Sequence, residues 1–126
     1  MTTPKPTASE LEILHVLWER GPATVREVHD ALAGKKPIGY TSVLKLMQIM
    51  TAKGTLRRNE EQRAHVYEAV QPAEKTKRQL AMDVLERVFD GSASDLMMHA
   101  LAGQKASKEE IEEMRRMLSD YERRLR

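Results

Sequence analysis

The side chains able to do covalent or metal chemistry in this chain are few and scattered. His15, His29, His65 and His99 lie far apart, with no pair at the i, i+4 spacing that would put two imidazoles on one helix face, and no HExxH pattern occurs. The acidic run Glu109-Glu110-Ile111-Glu112-Glu113 has the composition of a cation site. Its place at a helix start gives the first carboxylates a simpler task, as partners of the helix dipole. No cysteine is present, which excludes disulfides, thiolate metal sites and cysteine nucleophiles. Neither a glycine-rich phosphate loop nor a nucleophile elbow occurs. The expectation is a protein that is not an enzyme and that holds no metal and no cofactor.

What remains is hydrogen-bonding and cationic chemistry, and it is concentrated. Net charge is only +2, yet between Lys35 and Arg63 stand seven basic residues (Lys35, Lys36, Lys45, Lys53, Arg57, Arg58, Arg63) against the two acids Glu60 and Glu61. From Gln71 onward, 11 basic residues balance 11 acidic ones. One basic stretch on a balanced chain suits a phosphate-backbone partner, although a merely solvated face has the same composition. Within that stretch Thr41, Lys45, Gln48 and Ala52 recur every three or four residues with Ser42 beside them, a polar edge able to address base edges and phosphates.

The elements that must position these groups are marked by caps and breakers. Thr7-Ala8-Ser9-Glu10 reads as a capping box opening a helix that buries Leu11, Leu14, Leu17 and Trp18 and ends at Gly21-Pro22. A second box, Thr24-Val25-Arg26-Glu27, opens a short helix with Val25, Val28 and Leu32 on one face, broken by Gly34 to Pro37. A third helix, about Tyr40 to Lys53, buries Val43, Leu46, Met47 and Met50 and stops at Gly54. Short strands follow near Leu56–Arg58 and Ala64–Val70, around the polar turn Asn59 to Gln62. Beyond Pro72 come helices of about Ala73 to Phe89, Ser94 to Leu101, and one opened by a third box, Ser107-Lys108-Glu109-Glu110. The last carries Ile111, Met114, Leu118, Tyr121 and Leu125 at alternating spacings of three and four, a short heptad seam.

Three short helices and a hairpin form the order of a winged helix-turn-helix, in a chain that is mainly α with one small β-hairpin. In such a domain the third helix packs one face inward and offers the other to the major groove, with Leu44 on its flank facing thymine methyls. The wing carries Arg57, Arg58 and Arg63 to the backbone or minor groove. Any three-helix domain also has polar helix faces, and winged helices can dock proteins instead of DNA. A protein–protein adaptor therefore stands as the alternative function.

These residues resemble the penicillinase-repressor family, the BlaI/MecI/CopY-type regulators. The likeness runs through Thr7-Ala8-Ser9-Glu10 with Leu17-Trp18, Tyr40-Thr41-Ser42-Val43, Lys53-Gly54, Arg63-Ala64-His65-Val66-Tyr67 and Ser107-Lys108-Glu109-Glu110-Ile111. It implies a winged helix, a C-terminal helical arm that interlocks with a twofold mate, and repression from inverted-repeat operators on double-stranded DNA. Base reading would fall to Thr41, Ser42 and Lys45 and a backbone contact to Arg63. The wider candidate set adds Gln48, Lys53, Arg57 and Arg58. Three departures stand out. Relatives switched by a membrane sensor-protease are cut at an Asn-Phe bond, where His99-Ala100 stands here, which counts against that partner. The copper-sensing branch has a cysteine-rich tail that this chain lacks. Ile49 takes a place where relatives carry a basic residue.

Residues 1–71 are thus expected to form the DNA-binding domain and 72–126 a helical dimerisation domain. A unit of that size rarely builds a sufficient core alone. Leu80, Val84, Leu85, Val88 and Phe89, with Ile111, Met114 and Leu118, would be covered by an isologous twofold contact. Folding of these helices back onto the winged helix is the alternative. No apolar run reaches the roughly 18 residues of a membrane span, and no signal-peptide stretch precedes Thr7. A cytoplasmic location is expected.

Overall fold

The structure, a computed structural model, describes residues 5–103 and 105–126. It contains α1 (Ala8–Arg20), α2 (Val25–Ala33), α3 (Tyr40–Lys53), β1 (Leu56–Asn59), β2 (Val66–Ala69), α4 (Ala73–Arg87), α5 (Ala93–Ala102) and α6 (Lys108–Arg124). Two compact units result, residues 1–80 and 81–126, and α4 begins in the first and ends in the second.

In the first unit the caps act as their sequences foretell. Thr7 accepts from the Glu10 amide while Glu10 accepts from the Thr7 amide, and Thr24 and Glu27 repeat the exchange at α2. Ile13, Leu14 and Leu17 of α1, Val25, Val28 and Leu32 of α2, and Val43, Met47 and Met50 of α3 form one core with Leu56 and Tyr67 of the hairpin. Ile13 is wholly buried although the helical pattern read from sequence passed over it. Leu11, Trp18 and Leu46, expected inside, lie half-buried at its margin. Trp18 has a reason for that place: its indole N–H must find an acceptor, and it donates to the Gln71 carbonyl across 3.0 Å.

α3 ends in a Schellman-type turn. Gly54 has φ 87°, its amide bonds to Thr51 and the Thr55 amide bonds back to Met50. The chain thereby reverses into β1, which pairs antiparallel with β2 in the register Leu56↔Ala69 to Asn59↔Val66. β1 runs one residue further toward the turn than the expected Leu56–Arg58, to Asn59, whereas β2 begins at Val66, two residues after the expected Ala64. Ala23, just before α2, exchanges both backbone hydrogen bonds with Tyr67 and so stitches the hairpin to the helices. Buried Tyr67 thus serves the core and the wing together.

The second unit is built otherwise. Among the described residues from 81 to 126, none is buried. Leu85, Phe89, Leu96 and Met114 are half-buried, while Val84, Val88, Met98, Ile111, Met117, Leu118, Tyr121 and Leu125 are exposed. Ser107 caps α6 by accepting from the Glu110 amide, without the reciprocal bond from the Glu110 side chain that the third box predicts. No helix of the described residues is long and apolar enough to cross a membrane.

Candidate nucleic-acid interface

The exposed edge of α3 is where the pattern puts it. Val43, Met47 and Met50 are completely inaccessible, which turns Thr41, Ser42, Lys45 and Gln48 outward, and all four are exposed. Leu44 is half-buried on the flank, and Ile49 is exposed. The helix carries no acid, so nothing on its own surface neutralises Lys45.

The seven basic residues of the stretch divide by partner. Lys36 pairs with Glu12 at 2.8 Å, Lys53 with Glu10 at 2.9 Å, Arg57 with Glu68 at 2.8 Å and Arg58 with Glu60 at 2.5 Å. Among the described residues Lys35, Lys45 and Arg63 have no carboxylate partner. The pairs are not equivalent. Arg57–Glu68 and Arg58–Glu60 lie open to solvent, where an ion pair is worth little and can be exchanged for a phosphate. A hydrogen bond with Tyr67, then the charge of Glu60, holds the Arg58 guanidinium above its usual value. The Glu10 side chain, in contrast, is only 3% accessible, and removing Lys53 from it would strand a buried charge. Lys53 accordingly serves the α1–α3 contact, a role that sequence counting within a window could not reveal.

Two residues outside that candidate set join the α3 face. Arg26 of α2 lies over the Tyr40 ring, 5.7 Å from its centroid, and Tyr40 is 42% exposed at the first turn of α3. An open groove runs from Arg26 past Tyr40 and Leu44 to Arg63 and His65 of the wing. The signal for Arg26 lay in its capping box, where it holds an outward position between core Val25 and capping Glu27. Counting charge from Lys35 onward began too late in the chain to include it.

No group of three or more histidines, cysteines or acids is arranged to hold a metal ion among the described residues. The acids Glu109 and Glu110 stand in the first turn of α6, as dipole partners should.

Residues 6–120 match the penicillinase repressor family. The chain belongs to that family. It is 30% identical over 115 residues to the transcriptional regulator BlaI of Mycobacterium tuberculosis, covering 90% of this chain and 82% of the relative. The penicillinase repressor of Bacillus licheniformis is 22% identical, with 96% and 94% of the two chains covered. The methicillin resistance regulatory protein MecI of Staphylococcus aureus is 19% identical, with 90% and 92% covered. Among solved structures, the DNA-binding domain of the repressor BlaI superposes with a TM-score of 0.52 at 22% identity. That match covers 57% of this chain and 88% of that domain, and it shares the fold: helices followed by a hairpin. Membership in a repressor family makes this penicillinase-repressor homologue a transcriptional regulator and not an enzyme.

Proposed function

We propose that the chain represses transcription as a homodimer on inverted-repeat operators, with α3 reading bases in the major groove and the wing on the backbone. The observation that carries this reading is the outward edge of α3, where Thr41, Ser42, Lys45 and Gln48 are all exposed on a helix without acids. Hydroxyl, amide and ammonium groups match base-edge donors and acceptors. Arg63, free of carboxylates among the described residues, and the exchangeable Arg57 and Arg58 supply phosphate contacts. Lys53 contributes indirectly, by fixing the end of α3. Such a regulator works where the chromosome is, in the cytoplasm.

A second copy of the chain answers the other anomaly. The unit from Ala81 onward buries no residue among those described, and its Val84, Val88, Ile111 and Leu118 lie in solvent. Apolar surface of that extent is stabilised only when covered, and twofold symmetry would present α3 twice, one or more turns of DNA apart. The family resemblance would set a sensor-protease's Asn-Phe bond at His99-Ala100, a pair of different chemistry, and the reading includes no proteolytic partner.

In vitro selection on random duplexes tests this directly. A palindromic consensus is expected, with affinity falling steeply as salt rises because each neutralised phosphate releases counterions. A chain that selects no sequence, and whose contacts ignore salt, would be the protein–protein adaptor instead.

A further inference from the structure

Three side chains from two helices, α2 and α3, converge at the start of α3. The Arg26 guanidinium lies over the Tyr40 ring. The His29 ring meets the same tyrosine edge-on, with centroids 5.9 Å apart and planes at 76°. His29 Nε2 is 2.9 Å from the Ile38 carbonyl, within the turn that leads into the helix. Gly39, the N-cap residue just before α3, offers no side chain to cap it. Position at this end of α3 is therefore imposed from α2, through His29 and Arg26. Across the groove stands Arg63, with His65 beside it, and no carboxylate lines the space between the two arginines.

Two guanidinium groups lining one acid-free groove both favour an anion within it, and a phosphate has the oxygens to accept from both. Tyr40 keeps Arg26 beside the groove: a cation stacked on a ring loses part of its rotameric freedom before any ligand arrives. We infer that this groove seats a single DNA phosphate, gripped by Arg26 from α2 and Arg63 from the wing, with Tyr40 and His29 as positioning residues. The inference rests on the reading of α3 as the base-reading helix, and adds to it a clamp between elements that the recognition helix separates. Its consequence is registration. One phosphate held from both sides fixes where along the groove Thr41 and Lys45 meet base edges.

The clamp is tested by walking a neutral methylphosphonate through every backbone position of the selected operator. With the unaltered protein, one position per half-site should weaken binding by about tenfold, the loss of a charge-assisted hydrogen bond. Arg26→Ala and Arg63→Ala should each weaken binding to the native duplex, and the same methylphosphonate position should then cost much less in both. Arg26→Lys should recover part of the loss, because charge is kept. Tyr40→Leu should weaken binding only while Arg26 is present, which a merely structural role would not reproduce, whereas His29→Leu also releases the Ile38 turn and should weaken binding in either background. If the two arginines map to different phosphates, or Arg26→Ala binds like the parent while Lys45→Ala loses specificity, the clamp is wrong and the α3 reading stands. If the unaltered protein binds no duplex, both fall. Chemical shifts of Arg26 and Tyr40 that saturate with inorganic phosphate alone, at constant ionic strength and without a shared position on DNA, would make this a free-anion site and overturn the assignment.

Discussion

Lys53, the last residue of α3, donates to Glu10 in the first turn of α1 across 2.9 Å, and the accepting carboxylate is buried. Glu10 performs two tasks with its two oxygens. Oε1 accepts from the Thr7 amide and completes the cap of α1, while Oε2 holds Lys53. The start of α1 and the end of α3 are joined through one carboxylate. The base-reading role proposed for α3 requires a reproducible position, and this contact ties down the C-terminal end of the helix.

That relationship has a pH signature. Burial pushes the Glu10 carboxyl up, but hydrogen bonds from Lys53 and the Thr7 amide outweigh it and carry it below the usual carboxylate value. A group whose folded value is depressed adds stability that is full above its unfolded value and disappears as pH falls through the folded one. Urea midpoints should therefore decline between about pH 5 and the folded-state value in the parent. The decline should be shallower in Glu10→Gln. Lys53→Met should cost about 1–3 kcal/mol at neutral pH by leaving a buried carboxylate short of a donor. Among chains that remain folded it should change the salt slope of DNA binding little. A slope reduced by a full unit would return Lys53 to the phosphate contacts.

Lys45 occupies the centre of the exposed α3 edge, with no carboxylate partner among the described residues. Lys45→Ala is expected to weaken binding to the selected operator by about 1–3 kcal/mol, with a far smaller change on random duplex. Gel-shift titrations on both duplexes distinguish the outcomes. Equal loss on the two would make Lys45 a backbone contact, and no loss on either would remove it from the interface.

The first unit was legible because its signals are local. Two reciprocal caps, a glycine at the end of α3 and a stripe of Val43, Met47 and Met50 each dictate their own few residues. What could not be read was pairing across long separations. The excess of positive charge between Lys35 and Arg63 is reduced by Glu10, Glu12 and Glu68, which lie outside that window and arrive only on folding. Arg26 and Tyr40 likewise meet by the packing of α2 on α3, 14 positions apart in sequence yet in contact in space. Ile13 was missed because α1 buries a face broad enough to include adjacent residues 13 and 14.

Gly54 tests whether the turn into the wing carries strain. Its φ of 87° lies in the left-handed region, and a Cβ built there meets nothing within 4 Å. Crowding therefore contributes nothing, and Gly54→Ala should reveal the backbone cost alone, about 1 kcal/mol, a modest fall in the urea midpoint. Gly54→Asn, which tolerates this region better, should lose less. A larger loss for Asn than for Ala would show that side-chain volume, not backbone conformation, governs the turn.

The second unit supplies the most consequential prediction, since its apolar residues are at best half-covered within one chain. Val84 is 39% and Leu118 is 59% exposed, so charges at these positions fall on residues outside any buried core of the protomer. Val84→Glu combined with Leu118→Glu should therefore act on association. Sedimentation should report a monomer, or a chain whose α5 and α6 have lost helicity while the first unit still melts cooperatively. Helices that bury little alone are marginal in water, and only tertiary or quaternary packing holds them. Affinity for a single half-site should survive and affinity for the full palindrome should collapse toward it, because two linked sites gain from effective concentration and two separate ones do not. A double variant that sediments as a dimer and binds the palindrome undiminished would place the twofold contact on another face of these helices.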